Sequence, residues 1–165
     1  MIDNIECKAG VTFLRIEVFG ESSHLNPFRI NTDQIRHIRE YTDSKGGGWA
    51  VVVGQKMYPT RDLKFDDFKV GNVVEIGNTK FECAITTSLT ERDSYKTLIN
   101  YKNVLYTRKY LKKDKTDGNG ESYEKSDKFA IITVDERIIP IIEELTDVRS
   151  NNESGSTREG APATA

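Results

Sequence analysis

Short runs in which apolar and polar residues alternate, broken by glycine and small polar residues, dominate this chain and predict β-strands. Val11 to Phe19 form one such run, closed by the turn-rich Gly20-Glu21-Ser22-Ser23. The stretch from Phe28 to Tyr41 is strand-like at both ends, and Asn31-Thr32-Asp33 between them favours a turn or a brief helical start. Asp43-Ser44-Lys45-Gly46-Gly47-Gly48 then breaks the chain as a flexible hairpin tip ahead of a Val-rich strand over 49–54. Residues 59–69 carry a threonine cap and apolar residues at 63, 65 and 68, a spacing that fits a short helix or an irregular crossover. Val73 to Ile76 and Phe81 to Thr87 flank a Gly77-Asn78 turn and read as a hairpin. Residues 104–112 read as a strand and 112–122 as a long loop. Val134 to Leu145 read as an acid-capped helix with apolar residues at 138, 141, 142 and 145, in which Pro140 is tolerable only in the first turn.

These signals repeat. Ile30-Asn31, Ile35, Arg39 and Tyr41 return 69 residues later as Ile99-Asn100, Val104, Arg108 and Tyr110. Each copy continues into an apolar run, Trp49 to Val53 and Phe129 to Thr133, and then into an acid-containing segment able to close the unit as a helix. The expected architecture is α+β: mostly antiparallel β, with two related strand-rich units over residues 1–79 and 80–149, each closed by a short helix. Residues 150–165, with almost nothing to bury, read as a disordered tail. A unit of about 60 residues lies near the lower limit for a self-sufficient core, so the two should pack on each other.

Composition narrows the class. With 36% hydrophobic and 30% charged residues the chain reads as a soluble globular protein, and no apolar stretch approaches the roughly 18 residues that span a bilayer. Met1 to Glu6 offer neither a basic region nor an apolar signal core, so a cytoplasmic protein is expected. A net charge of -2 exerts no global pull on nucleic acid. Cys7 and Cys83 read as reduced and structural, and neither they nor His24 and His37 have metal-ligand spacing. Asp117-Gly118-Asn119-Gly120 has the outline of a calcium loop, but Lys115 and Ser126 stand where carboxylates are required. The glycines at 46–48 lack the Gly-Lys-Ser/Thr of a phosphate loop. The adjacent acids Asp66-Asp67, Asp135-Glu136 and Glu143-Glu144 point apart, and no nucleophile motif is present. Neither a metal, a cofactor nor an enzymatic activity is expected.

The chemistry worth weighing is on the repeated strands. Alternation places Val104, Tyr106, Arg108, Tyr110 and Lys112 on one face, and Ile35, His37, Arg39 and Tyr41 on the equivalent face of the first copy. Residues 96–115 also carry seven lysines or arginines against one aspartate. Aromatic rings beside cations are the components of single-stranded nucleic-acid binding. The plainer reading, favoured by the acidic total, is a half-exposed sheet face whose rings and aliphatic stems pack across strands. Exposed Tyr and Arg equally suit a protein interface.

The repeated pattern resembles the FlbD-like module of flagellar and swarming motility. The resemblance rests on Ile30-Asn31, Ile35, Ile38 and Trp49 to Val53 in the first copy, and on Ile99-Asn100, Val104, Ile131-Ile132 and Asp135-Glu136 to Glu144 in the second. Thr107 replaces the second isoleucine of copy two, and Gly54-Gln55-Lys56 the acidic helix entry of copy one. Modules of this kind are small and non-catalytic and also occur in phage genomes. The resemblance therefore implies binding or assembly through a protein partner or self-association, in the cytoplasm or in a virion. Single-stranded nucleic acid bound by the Tyr/Arg face is the alternative.

Overall fold

The computed structural model describes residues 4–19, 27–44, 46–116 and 120–146. Their regular elements are β1 (Ile5–Lys8), β2 (Val11–Ile16), β3 (Phe28–Asn31), β4 (His37–Asp43), β5 (Gly46–Val53), β6 (Lys56–Thr60), β7 (Val73–Ile76), β8 (Thr79–Thr87), β9 (Ser94–Asn100), β10 (Val104–Leu111), β11 (Lys125–Thr133) and β12 (Ile138–Ile141). Single 3-10 turns over Thr32–Gln34, Tyr101–Asn103 and Lys112–Thr116 accompany them. All pairings are antiparallel. One sheet has the order β1-β2-β3. The other has nine strands in the order β10-β11-β12-β8-β9-β4-β5-β6, with β7 also pairing with β8.

The α+β expectation is therefore corrected to an antiparallel β protein: no closing helix ends either half among the described residues. The acids at 134–137 form a hairpin turn, with Glu136 at φ 63, its N–H bonded to the Thr133 carbonyl and the Thr133 N–H to that of Arg137. The chain then enters β12, where Ile138, Ile139 and Ile141 favour extended backbone and Pro140 lies opposite Ala130. In the first half, residues 61–72 run as turns and bends, because Leu63 and Phe65 are both drawn into the core and Phe65 meets Trp49 edge-on at 5.3 Å. Gly46 to Gly48 are a further correction. They belong to β5 instead of breaking the chain, and a side chain at Gly48 would stand 2.6 Å from the Thr60 carbonyl oxygen. The expected turn at 20–23, His24, the loop residues 117–119 and the tail from 150 lie outside the described residues.

The two halves pass through one order of elements: a hairpin, a third strand, a 3-10 turn and a three-stranded meander, in β1–β6 and again in β7–β12. The registers agree. Arg39 lies opposite Ala50 and Ala50 opposite Pro59, as Arg108 lies opposite Ala130 and Ala130 opposite Pro140. The meander returns to the second strand through Val18 and Thr60 in one half and Thr86 and Ile141 in the other. One apolar cluster gathers Leu14, Ile16, Ile30, Ile35, Ile38, Trp49, Val51 and Phe65 with Ile76, Phe81, Cys83 and Leu98; a second gathers Ala84, Ile99, Ile131, Ile139, Ile141 and Leu145. β8 and β9 thus bury both faces, and the β7–β8 hairpin spans the 79/80 boundary expected from the sequence. Arg36 to Asp135 at 2.6 Å and Asp33 to Lys102 at 2.8 Å tie the halves together at the surface.

Candidate functional site

Asn31 and Asn100 set the phase of the two candidate strands. Each accepts, through its side-chain oxygen, the backbone N–H two residues ahead, of Asp33 at 3.0 Å and of Lys102 at 2.8 Å, and so caps the 3-10 turn that feeds β4 or β10. His37, Arg39 and Tyr41 then share one face of β4.

His37 is half-buried, and its Nδ1 is closed off from solvent with no hydrogen-bond partner among the described residues. Burial, reinforced by the Arg36 and Arg39 charges, lowers its pKa to about 3, so the ring is neutral near neutral pH. The Arg39 guanidinium lies 4.0 Å from the centroid of the Tyr95 ring, donates to the Glu40 carbonyl at 3.4 Å and has the Met57 Sδ at 3.7 Å. Tyr41 meets Phe19 edge-on at 5.8 Å, and Phe19 carries the Arg61 guanidinium 4.0 Å from its centroid. The β4–β9 ladder ends at Arg39 and Thr97, after which Glu40 Oε1 accepts the Lys96 N–H at 2.6 Å. There the strands part around a cleft of about 320 Å3 lined by Arg39, Glu40, Tyr41, Thr42, Ser94 and Tyr95. A second groove of about 620 Å3 includes Tyr41, Gly48, Trp49, Arg61 and Lys64.

On β10 the equivalent residues have been absorbed by the fold. Arg108 grips the Asp114 carboxylate with two bonds, 2.6 and 2.9 Å, and Asp114 is fully buried. Burial pushes the Asp114 pKa upward, but Arg108 and the Leu111 N–H at 2.7 Å outweigh it and hold the group below the ordinary carboxylate range. Tyr110 is fully buried, and its hydroxyl donates to the Leu89 carbonyl. Burial, with the Asp114 and Glu91 charges, pushes its pKa up to about 12. Lys112 falls just past the strand and pairs with Glu124 at 2.7 Å. Of the β10 residues in the expected face, Tyr106 is the exposed one.

The structure therefore brings His37, Arg39 and Tyr41 together, and separately Tyr106, Arg108 and Tyr110. It does not join the two sets, because β11, β12, β8 and β9 lie between β10 and β4 in the sheet. Sequence reasoning missed Tyr95, Phe19 and Asp114. The one usable signal was Asp114 itself, the lone acid among seven cations in 96–115. Comparison with protein-family models, curated proteins and solved structures finds no match. Among the described residues no three His, Cys, Asp or Glu side chains form a metal-holding group. No helix among them is long and apolar enough to cross a membrane, which says nothing of strand-built spans.

Proposed function

We propose that the chain is a non-enzymatic binding and assembly module, made of tandem copies of one FlbD-like unit, that acts through protein contacts. The observation that carries this reading is the outer edge of β10. It is the terminal strand of the nine-stranded sheet, and Leu105 and Tyr106 on it are 54% and 51% exposed. Val134, 54% exposed, adjoins them through its N–H bond to the Asn103 carbonyl at 2.9 Å. An open strand edge bearing large apolar side chains is a template for strand addition. Arg108 and Lys112 are already matched by Asp114 and Glu124, so two such edges can approach without uncompensated charge at those positions. The partner is a second copy of this chain, since one edge pairs antiparallel with itself about a twofold axis. Assembly into a larger particle of phage type is the extension of the same reading.

Single-stranded nucleic acid has less support. The Tyr95 and Phe19 rings are already covered by Arg39 and Arg61, and Lys109 and Lys113 stack on Phe129 and Tyr123. Size-exclusion chromatography with light scattering, with and without a labelled single-stranded oligonucleotide at low and moderate salt, separates the readings. We expect a concentration-dependent dimer that ignores the oligonucleotide and dissociates in Leu105→Glu. A monomer at every concentration removes the self-pairing edge, and salt-sensitive co-elution that survives Leu105→Glu hands the function to nucleic acid.

A further inference from the structure

Arg39 and Arg108 hold equivalent places, each opposite an alanine that lies opposite a proline. Each also donates from Nη1 to the carbonyl of the next residue, Glu40 at 3.4 Å and Lys109 at 3.0 Å. They differ in what meets the rest of the guanidinium fork. In the second copy the β10–β11 connection is long, and its 3-10 turn over Lys112–Thr116 carries Asp114 back onto Arg108, where the Leu111 N–H completes the carboxylate's shell. In the first copy β4 ends at Asp43 and β5 begins at Gly46, too short a connection to fold a side chain back. Among the described residues no carboxylate pairs with Arg39, and its Nη2 meets only the Met57 thioether, a weak acceptor. Thr42, which stands where Leu111 stands in the second copy, lines the 320 Å3 cleft beside Arg39 and Ser94. Glu40, the carboxylate on the cleft wall, is turned to the Lys96 N–H.

We infer that this cleft binds an aspartate or glutamate side chain presented by a segment of a partner protein, with Arg39 as the bidentate donor. The second copy is the same site with its ligand built into the chain. Tyr95 beneath the guanidinium fixes its plane and leaves its edge for a carboxylate, the geometry in which arginine is selective over lysine. This goes beyond the β10 edge: the two sites lie on different strands, so either can fail while the other stands.

The test is a nitrogen-15 NMR titration of the full chain with the capped peptide Leu-Gly-Gly-Asp-Gly-Thr, a lysine-free version of residues 111–116, and with its Asp→Asn twin. A single charge-assisted pair at a half-open site binds in the millimolar range. We expect the aspartate peptide to shift the backbone amides of Thr42 and Tyr95 and the Arg39 Nε–H. The twin peptide, and Arg39→Gln in the protein, should weaken binding about tenfold, the scale of one lost charge-assisted contact. Arg39→Lys should fall between, and Leu105→Glu should leave the titration unchanged. Absence of shifts, equal shifts from the twin, or shifts that persist in Arg39→Gln overturn the proposal. So does an oligothymidylate that moves these amides when the aspartate peptide does not, because the cleft is then a nucleic-acid site.

Discussion

Asp114 illustrates how far one side chain can redirect its neighbours. A fully buried carboxylate is tolerable only because Arg108 and the Leu111 amide meet it, so Arg108→Ala should be far more harmful than a surface substitution. We expect a loss of about 3 kcal/mol, the scale of a buried charge left unpaired, read as a lower urea midpoint at unchanged slope. Replacing Arg108 and Asp114 together by Met and Leu should be milder. His37 makes a pH prediction of definite sign. Between its ordinary value of 6.5 and about 3, the unfolded chain holds a proton that the folded chain refuses, so stability rises with pH across that window and is lost as pH falls. The slope is at most about 1.4 kcal/mol per pH unit, and His37→Gln should remove it from denaturation curves recorded at pH 4 to 7. The recurrence of Arg39 and Tyr41 as Arg108 and Tyr110 was legible in the sequence. The opposite fates of the two pairs were not, because Asp114 and the Leu89 carbonyl reach β10 on connections, and Tyr95 reaches Arg39 through the pairing of β9 beside β4, and no periodicity encodes either approach.

At the scale of elements, strands announced themselves through alternation, and the Asn31 and Gly77-Asn78 turns through their side-chain chemistry. The helix expected at 134–145 failed, and after residue 59 the irregular crossover prevailed over the short helix, for separable reasons. Isoleucines at 138, 139 and 141 satisfy a helical stripe and a strand equally, and pairing with β11 decides for the strand. Leu63 and Phe65, two apart, point to different sides of a helix, so burying both excludes one, and the segment runs as turns and bends. Gly77 permits a sharp substitution test. It has φ 62, and a Cβ there would come within 2.2 Å of Thr12 Cγ2, so Gly77→Ala combines backbone strain with a clash between the β1–β2 and β7–β8 hairpins. The expected loss is about 2 kcal/mol. Gly54→Ala, with a φ of 59 but open space around it, should show the strain alone, and thermal melts of the two variants separate the contributions.

Across the described residues the chain passes twice through one order of elements, and the two halves share a wall. The first core draws Ile76, Phe81, Cys83 and Leu98 from β7, β8 and β9 of the second half, and β4 pairs with β9 as well as with β5. A fragment of residues 1–79 should therefore remain unfolded by circular dichroism and amide dispersion, and a cooperative melt from that fragment would sink this account. The matching residue types raised the expectation of a repeat, and the structure adds that the two halves share one order of elements. Their junction through β8 and β9 was not legible, because apolar residues on both faces of a strand look the same whichever core each face enters.

That shared wall sets a hierarchy of opening. A peripheral strand such as β1 or β6 can detach while its own core partly survives, but separating β8 from β9 opens both clusters at once. The amides that face the β8–β9 pairing, those of Ala84, Thr97 and Ile99, should therefore exchange with deuterium only through global unfolding, and those of β1 and β6 orders of magnitude sooner.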